Sequence, residues 1–190
     1  MVGIRLGELL AFLRSQSVAS FRGDAVDTFL RRHQVELDDV LDYTRFRQDC
    51  YARNLIQRTA EFELLALAWL GGQKACIHNH AGQRCWMTVA VGEITVQNFK
   101  PMEWDNPKPE RLGKAESYVQ GDQVYIDDGL GWHSLENRSS KPAVTLHLYA
   151  GPISECVIYD ETSKSLKRVD LVSFPSIGVE DPVDPARELA

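Results

Sequence analysis

Three histidines in two short segments carry the clearest chemical signal in this sequence. His78 and His80 are separated by one residue in Cys76-Ile-His-Asn-His, and alternate residues of a β-strand point to the same face of the sheet. A third histidine, His133, ends the strand-like segment Gly-Leu-Gly-Trp-His. Three neutral imidazoles with no carboxylate among them would hold a divalent metal ion and leave coordination positions open, so they predict metal-centred chemistry.

The composition is that of an ordinary globular protein. The chain has 190 residues, 44% of them hydrophobic and 25% charged, which suits one domain, with a net charge of -6. No run of Lys or Arg provides the clustered basic face that phosphate binding needs, so nucleic acid is not expected as a partner.

The N-terminal segment and the cysteines predict a location in the cytoplasm. Leucines recur at helical spacing over residues 6–13 between charged residues, which indicates an amphipathic helix rather than a signal peptide. No uncharged apolar run is long enough to cross a bilayer. The four cysteines, Cys50, Cys76, Cys85 and Cys156, have no CxxC spacing and are expected to be reduced. The first two are expected in the core.

The element pattern predicts a mainly β fold preceded by helices. Helical spacing over residues 1–45 favours helices near 9–13, 24–33 and 37–43. From about residue 50 to residue 175, short apolar segments alternate with turns, which is typical of a jelly-roll sandwich or barrel. The expected strands are 62–69, 75–80, 85–91, 94–99, 116–119, 123–126, 133–136, 143–149 and 156–159. The acidic, proline-rich end over 178–190 is expected to be a mobile tail.

The residues that flank the histidines resemble the two cupin motifs. Gly72 and Gly92 bracket the first motif, and the second contains Gly121, Gly129, His133 and Asn137 at close to the usual spacing. In the first motif, Cys85 stands where cupins usually carry a glutamate ligand. That replacement resembles the thiol dioxygenases, and among them the cysteine dioxygenases. The resemblance implies one cupin-type jelly-roll β-barrel over residues 50–175 within a single domain of residues 1–190.

The resemblance extends over roughly residues 40 to 170. Tyr51-Ala-Arg53-Asn-Leu is similar to the family segment that carries the substrate-binding arginine, and the segment 143–149 is similar to the block that holds the catalytic tyrosine. The chain departs from the family at Asn79, where Asp is common, and at Ala150-Gly151-Pro152 after the tyrosine.

The resemblance assigns roles to the ligands and to the substrate-binding residues. It implies that His78, His80 and His133 bind Fe(2+) as a facial set. It also implies that Arg53 holds the substrate carboxylate, which suits a planar guanidinium fork, and that Tyr51 adds a polar contact. Relatives that use 3-mercaptopropionate tend to carry Gln at the arginine position, so the arginine favours cysteine.

A second group of residues is implied to act beside the metal. Cys85 and Tyr149 form a thioether crosslink in cysteine dioxygenases, although a small buried cysteine is also common in cores. His147, two residues before the tyrosine, is implied to orient its hydroxyl by a hydrogen bond. Trp69 and Trp132 are expected either as walls of the pocket or as core residues.

The predicted function is therefore a non-haem iron-dependent dioxygenase that oxidises L-cysteine with O2 to cysteine sulfinic acid, without an organic cofactor. A dioxygenase of 3-mercaptopropionate or another thiol is one alternative. A cupin that binds a metal or small ligand without turnover is an alternative of a different class. The protein is expected to be a cytoplasmic monomer whose partners are a small thiol and O2, with neither nucleic acid nor a membrane.

Overall fold

The computed structural model describes residues 2–174, so the expected mobile tail lies outside the described residues. The first forty residues form helices and a short parallel ribbon. Their elements are β1 (Val2–Ile4), α1 (Leu6–Arg14), α2 (Val18–Arg22), α3 (Ala25–Arg32), β2 (His33–Val35) and α4 (Leu37–Leu41). The three expected helices are present as α1, α3 and α4. The β1–β2 ribbon and α2 were not predicted; β1 and β2 have three residues each, which are too few to show a period.

The rest of the described chain forms strands. These are β3 (Ala52–Arg58), β4 (Glu63–Trp69), β5 (Lys74–His78), β6 (Cys85–Val91), β7 (Glu93–Phe99), β8 (Arg111–Val119), β9 (Gln123–Ile126), β10 (Trp132–Glu136), β11 (Ala143–Tyr149), β12 (Glu155–Asp160) and β13 (Ser165–Asp170). All nine expected strands exist. The strands β3 and β13 and the first half of β8 were not predicted.

The strands form a jelly-roll sandwich of two sheets. The five-stranded sheet has the order β3-β4-β11-β6-β9, and the six-stranded sheet has the order β13-β12-β5-β10-β7-β8. Neighbouring strands within these sheets pair antiparallel, as β11 does with both β4 and β6. The predicted mainly β jelly-roll fold is confirmed, and its two sheets form a sandwich and not a closed barrel. Each sheet buries one face against the other, and this packing stabilises the sandwich although its strands do not close into a barrel.

The central strands of the five-stranded sheet are buried on both faces. Every residue of β4 and of β11 is buried, which explains why both sequences are mostly apolar. On β11, Leu146 and Leu148 pack under α1, α2 and α3 in one cluster. Tyr149 points to the opposite face of the same strand and packs against the six-stranded sheet in a second cluster. The helical layer therefore covers one face, and the opposite face is left for the space between the sheets.

A third apolar cluster lies on the outer face of the six-stranded sheet. It contains Trp132, together with Phe99 and Met102. Trp132 is therefore a core residue of this cluster and not a wall of the cavity described below. Among residues 2–174, no helix is long and apolar enough to cross a membrane.

Candidate active site

Three histidines converge between the two sheets. His78 ends β5 and lies directly opposite His133 of β10 in the antiparallel register. His80 lies two residues beyond the end of β5, so the prediction that it shares a strand face with His78 is wrong. A turn at Ala81 and Gly82, which have φ of 50° and 80°, follows His80. The Nε2 atom of His133 lies 3.1 Å from that of His80 and 3.2 Å from that of His78.

The geometry of these nitrogens fits a metal ion. The Nδ1 atom of His78 lies 2.7 Å from the carbonyl oxygen of Cys76, so Nδ1 carries the proton and Nε2 presents a lone pair. An ion about 2.1 Å from each nitrogen separates neighbouring ligands by about 3.0 Å at right angles and about 3.4 Å at tetrahedral angles. The observed separations of 3.1 and 3.2 Å lie between these two values. The three residues form the metal-ligating cluster of the described chain.

The surroundings keep the imidazoles of His78 and His133 neutral, as metal ligands must be. Burial lowers the pKa of His78 to about 3, with a further contribution from His80. Burial also holds the pKa of His133 well below its usual value, again reinforced by the neighbouring histidines. Protons therefore do not compete with a metal ion for these two imidazoles at neutral pH.

A cavity of about 300 Å³ reaches the metal-ligating cluster. Arg53 of β3 lines it and is 8% exposed, and its Nε and Nη2 atoms have no hydrogen-bond partner within residues 2–174. Tyr51 also lines the cavity and stacks on Trp69 with ring centroids 4.4 Å apart. A buried guanidinium with unused donors is costly unless a ligand supplies acceptors, so the cavity fits an anionic group such as a carboxylate.

Cys85 and Tyr149 face each other across two strands. They are register partners of β6 and β11, and side chains directly opposite in an antiparallel pair have Cβ atoms about 4.5–5.5 Å apart. Burial raises the pKa of Cys85 to about 12 and holds the pKa of Tyr149 above its usual range. Both groups therefore stay protonated at neutral pH, and the tyrosine hydroxyl remains a hydrogen-bond donor.

His147 is tied to a different set of partners from the one expected. Its Nε2 atom lies 2.9 Å from Oγ1 of Thr145, which accepts a hydrogen bond from Nε1 of Trp69 at 2.9 Å. Its Nδ1 atom lies 3.8 Å from Sγ of Cys85. The predicted hydrogen bond to the Tyr149 hydroxyl is not among the contacts of the described residues. Side chains two apart on a strand lie side by side, and these rings stack with centroids 6.2 Å apart.

Two of the cysteines predicted in the core are exposed at the cavity. Cys50 and Cys76 both line it and are exposed, whereas Cys156 lines it and is buried. The register of β5 explains Cys76, because His78 pairs with His133 but Ala75 pairs with Leu135. One extra residue in β5 therefore forms a bulge, which turns the intervening side chains away from strict alternation.

Sequence reasoning missed two acidic residues of the site. Glu63 of β4 is fully buried and accepts hydrogen bonds from Arg58 at 2.8 Å and from the backbone N–H of Ile153 at 2.9 Å. Because Ile153 lines the cavity, Glu63 anchors one of its walls. Asp128 contacts the segment that carries His80. The sequence signals of these roles are weak. Glu63 begins an apolar run, and Asp128 belongs to an acidic pair at a turn before His133.

Comparison with known proteins agrees with this geometry. One solved structure, a Klebsiella pneumoniae protein with a double-stranded beta-helix domain, has a TM-score of 0.52 at 17% identity over 64% of this chain and 95% of that one, which supports the fold. Cysteine dioxygenase type 1 of Rattus norvegicus is 32% identical over 144 residues, which cover 74% of this chain and 70% of the relative. The Homo sapiens relative of the same name is 29% identical over 171 residues, covering 85% and 84%. The sequence model of cysteine dioxygenase type I matches residues 8–162, and the chain therefore belongs to the cysteine dioxygenase type I family of enzymes.

Proposed function

We propose that this protein is an iron-dependent thiol dioxygenase that oxidises L-cysteine with O2 to cysteine sulfinic acid. The observation that carries the proposal is the pairing of two features in one cavity. The guanidinium of Arg53 has unused donors there, and His78 and His80 of the metal-ligating cluster line the same space. A substrate with a carboxylate at one end and a thiol at the other suits this pairing.

The residues of this chain divide the work of binding and orientation. Arg53 holds the carboxylate through its planar fork, which fixes the direction of the substrate. Tyr149 keeps its proton because of burial, and so it donates a hydrogen bond towards the reacting sulfur and oxygen atoms. Ferrous iron bound by His78, His80 and His133 would supply the anchoring of the thiol and the reactivity towards O2. Both oxygen atoms end on the sulfur, so no reductant or organic cofactor is needed.

We also propose that Cys85 and Tyr149 become joined by a thioether bond. Their opposed positions on β6 and β11 support this. The bond replaces the S–H of the cysteine and one ring C–H of the tyrosine, and O2 takes up the two electrons and two protons that are released. His147, in contact with Sγ of Cys85 at 3.8 Å, would hold the thiol in place for this step.

The proposal extends to the setting of the enzyme. A cytoplasmic monomer that acts on small molecules, away from nucleic acid and membranes, is consistent with the net charge of -6. The four cysteines are free, as is usual in a reducing compartment.

Oxygen uptake by the iron-loaded protein tests the function, with L-cysteine and 3-mercaptopropionate in parallel and the products identified by mass. We expect faster uptake with cysteine and formation of its sulfinic acid. Arg53 would bind the carboxylate of 3-mercaptopropionate equally well, so that thiol is the strongest competing substrate. Preference for it would overturn the choice of substrate but keep the chemistry. No uptake with either thiol at stoichiometric iron would favour a cupin without turnover.

The variant Arg53→Gln tests the role of the arginine directly. Loss of a buried charge-assisted contact costs about 2–5 kcal/mol, so we expect kcat/KM for cysteine to fall by roughly 30-fold to 1000-fold or more. Arg138→Gln is the matched control, because Arg138 is 56% exposed and pairs only with Glu136 on the surface; its kcat/KM is expected to stay at the wild-type value. If Arg53→Gln kept the wild-type kcat/KM for cysteine, the assignment of the carboxylate site would fail.

A further inference from the structure

Asp128 links the two segments that carry the metal-ligating histidines. It lies in the turn between β9 and β10, five residues before His133. Its Oδ1 atom accepts a hydrogen bond from the backbone N–H of His80 at 2.7 Å, and its Oδ2 atom accepts one from the backbone N–H of Gly82, also at 2.7 Å. One carboxylate therefore links the turn after β5 to the turn before β10, the strand that carries His133.

The turn at His80 needs such a restraint. His80 lies outside the strand, so no ladder of backbone hydrogen bonds fixes its position. Ala81 has a φ of 50°, a left-handed conformation that residues other than glycine rarely adopt, and Gly82 follows with 80°. The two N–H groups bound by Asp128 belong to the residues on either side of Ala81, so the carboxylate holds this conformation in place.

The same carboxylate also faces the imidazole ring. Its Oδ1 atom lies 3.6 Å from Nδ1 of His80, and that nitrogen is buried without a hydrogen-bond partner within the described chain. A negative charge beside Nδ1 favours the tautomer that carries its proton there. Nε2 of His80 then presents its lone pair towards Nε2 of His133, 3.1 Å away.

The carboxylate of Asp128 is partly shielded from solvent where it meets the turn at His80. Its side chain is 29% exposed.

We infer that Asp128 is a positioning residue that sets the place and the tautomer of His80, and through them the metal affinity of the three-histidine site. The inference rests on the proposed function only in that a metal ion binds at His78, His80 and His133. It requires no particular thiol substrate. Carboxylates that hold a metal-ligating histidine in this manner commonly raise metal affinity by about 10-fold to 100-fold.

The test is the affinity of the metal-free protein for Co(II), titrated by visible absorbance in the absence of thiol and O2. In Asp128→Asn, one oxygen can still accept, but the new NH2 group faces a backbone N–H donor. We expect a Kd about 10-fold to 100-fold higher than that of the wild type, and an altered absorption spectrum. Asp127→Asn is the matched control, since Asp127 accepts hydrogen bonds from Tyr125 and Leu130 instead. Its Kd is expected to lie within about twofold of the wild-type value, as for a residue outside the ligand network.

The outcomes separate this inference from the proposed function. Wild-type protein that binds no Co(II) would overturn the metal site and the function together. Equal Kd values for the wild type and Asp128→Asn would overturn only the role of Asp128. Should Asp128→Asn fail to fold, nitrogen-15 NMR of the metal-free wild type decides, because it reads the tautomer of His80. We expect a proton on Nδ1, and a proton on Nε2 would overturn the inference.

Discussion

At the scale of single residues, the site is made of side chains that face each other across strands. His78 opposes His133 on β5 and β10, and Cys85 opposes Tyr149 on β6 and β11. Each pair joins residues far apart in sequence, so only the register of the sheet brings the two members together. The spacing of two residues in the sequence shows which side chains share a face, but it does not show which residue lies opposite.

The Cys85–Tyr149 pair makes the first prediction at this scale. After aerobic turnover with iron and cysteine, a fraction of the protein should be lighter by two hydrogen atoms, because one S–H and one ring C–H are replaced by a C–S bond. Intact-mass and peptide mass spectrometry measure the change. Cys85→Ser should abolish the change, whereas Cys156→Ser, a buried thiol on the same cavity, should retain it. An unchanged mass in the wild type after many turnovers would contradict the crosslink.

Sequence resemblance named candidate residues of the site but did not establish their contacts. The structure brings His78, His80 and His133 together, and the first two of them line one cavity with Arg53. The partner of His147 was not predicted correctly, because a motif names residues and not the direction of their side chains. His147 contacts Thr145 and Cys85. The role of Asp128 could not be predicted, since its backbone contacts depend on the path of a turn 46 residues away in sequence.

At the scale of elements, apolar strands were predictable and polar edge strands were not. The strands β4 and β11 are buried on both faces, so their sequences are mostly apolar, with Glu63, Thr145 and His147 as buried polar exceptions. In contrast, β8 and β13 are the outer strands of the six-stranded sheet, and most of their residues are at least partly exposed. Edge strands of this kind carry charged side chains, and their sequences read as loops.

Arg84 connects the helical layer to the sheet and makes the prediction at the scale of elements. Its Nη1 atom donates to the carbonyl oxygens of Phe21 and Gly23 at the end of α2, both at 2.9 Å, and its Nε atom donates to the hydroxyl of Tyr125 at 2.8 Å. Arg84→Met keeps the apolar stem but removes these bonds, so we expect the free energy of unfolding to fall by about 1–3 kcal/mol. Urea unfolding followed by tryptophan fluorescence measures it.

The control for this comparison is a surface arginine. Arg138 pairs with Glu136 while 56% exposed, and exposed pairs contribute little, so Arg138→Met should change the free energy of unfolding by no more than about 0.5 kcal/mol. Equal effects of the two substitutions would show that Arg84 does not join the layers.

At the scale of the whole molecule, a neutral set of buried imidazoles ties stability to pH. Burial lowers the pKa of His78 to about 3 and holds those of His133 and His147 well below their usual value. The folded metal-free protein keeps these rings neutral below pH 6.5, whereas the unfolded chain protonates them there. Their contribution to stability is therefore complete above about pH 6.5 and is lost as the pH falls. Between pH 6.5 and 5, carboxylates of the unfolded chain remain largely ionised, which isolates the histidines.

We expect the free energy of unfolding of the metal-free protein to decrease towards pH 5 with a slope that approaches about 4 kcal/mol per pH unit, since each histidine contributes about 1.4 kcal/mol per unit. Urea unfolding in chelator-treated buffers across this range measures the slope. His147→Gln removes one of the three rings without touching the metal-ligating cluster, and it should lower the slope by about one third. A stability that does not change between pH 6.5 and 5 would mean that these histidines are protonated in the folded protein. The site would then lack the neutral nitrogens that a metal ion requires.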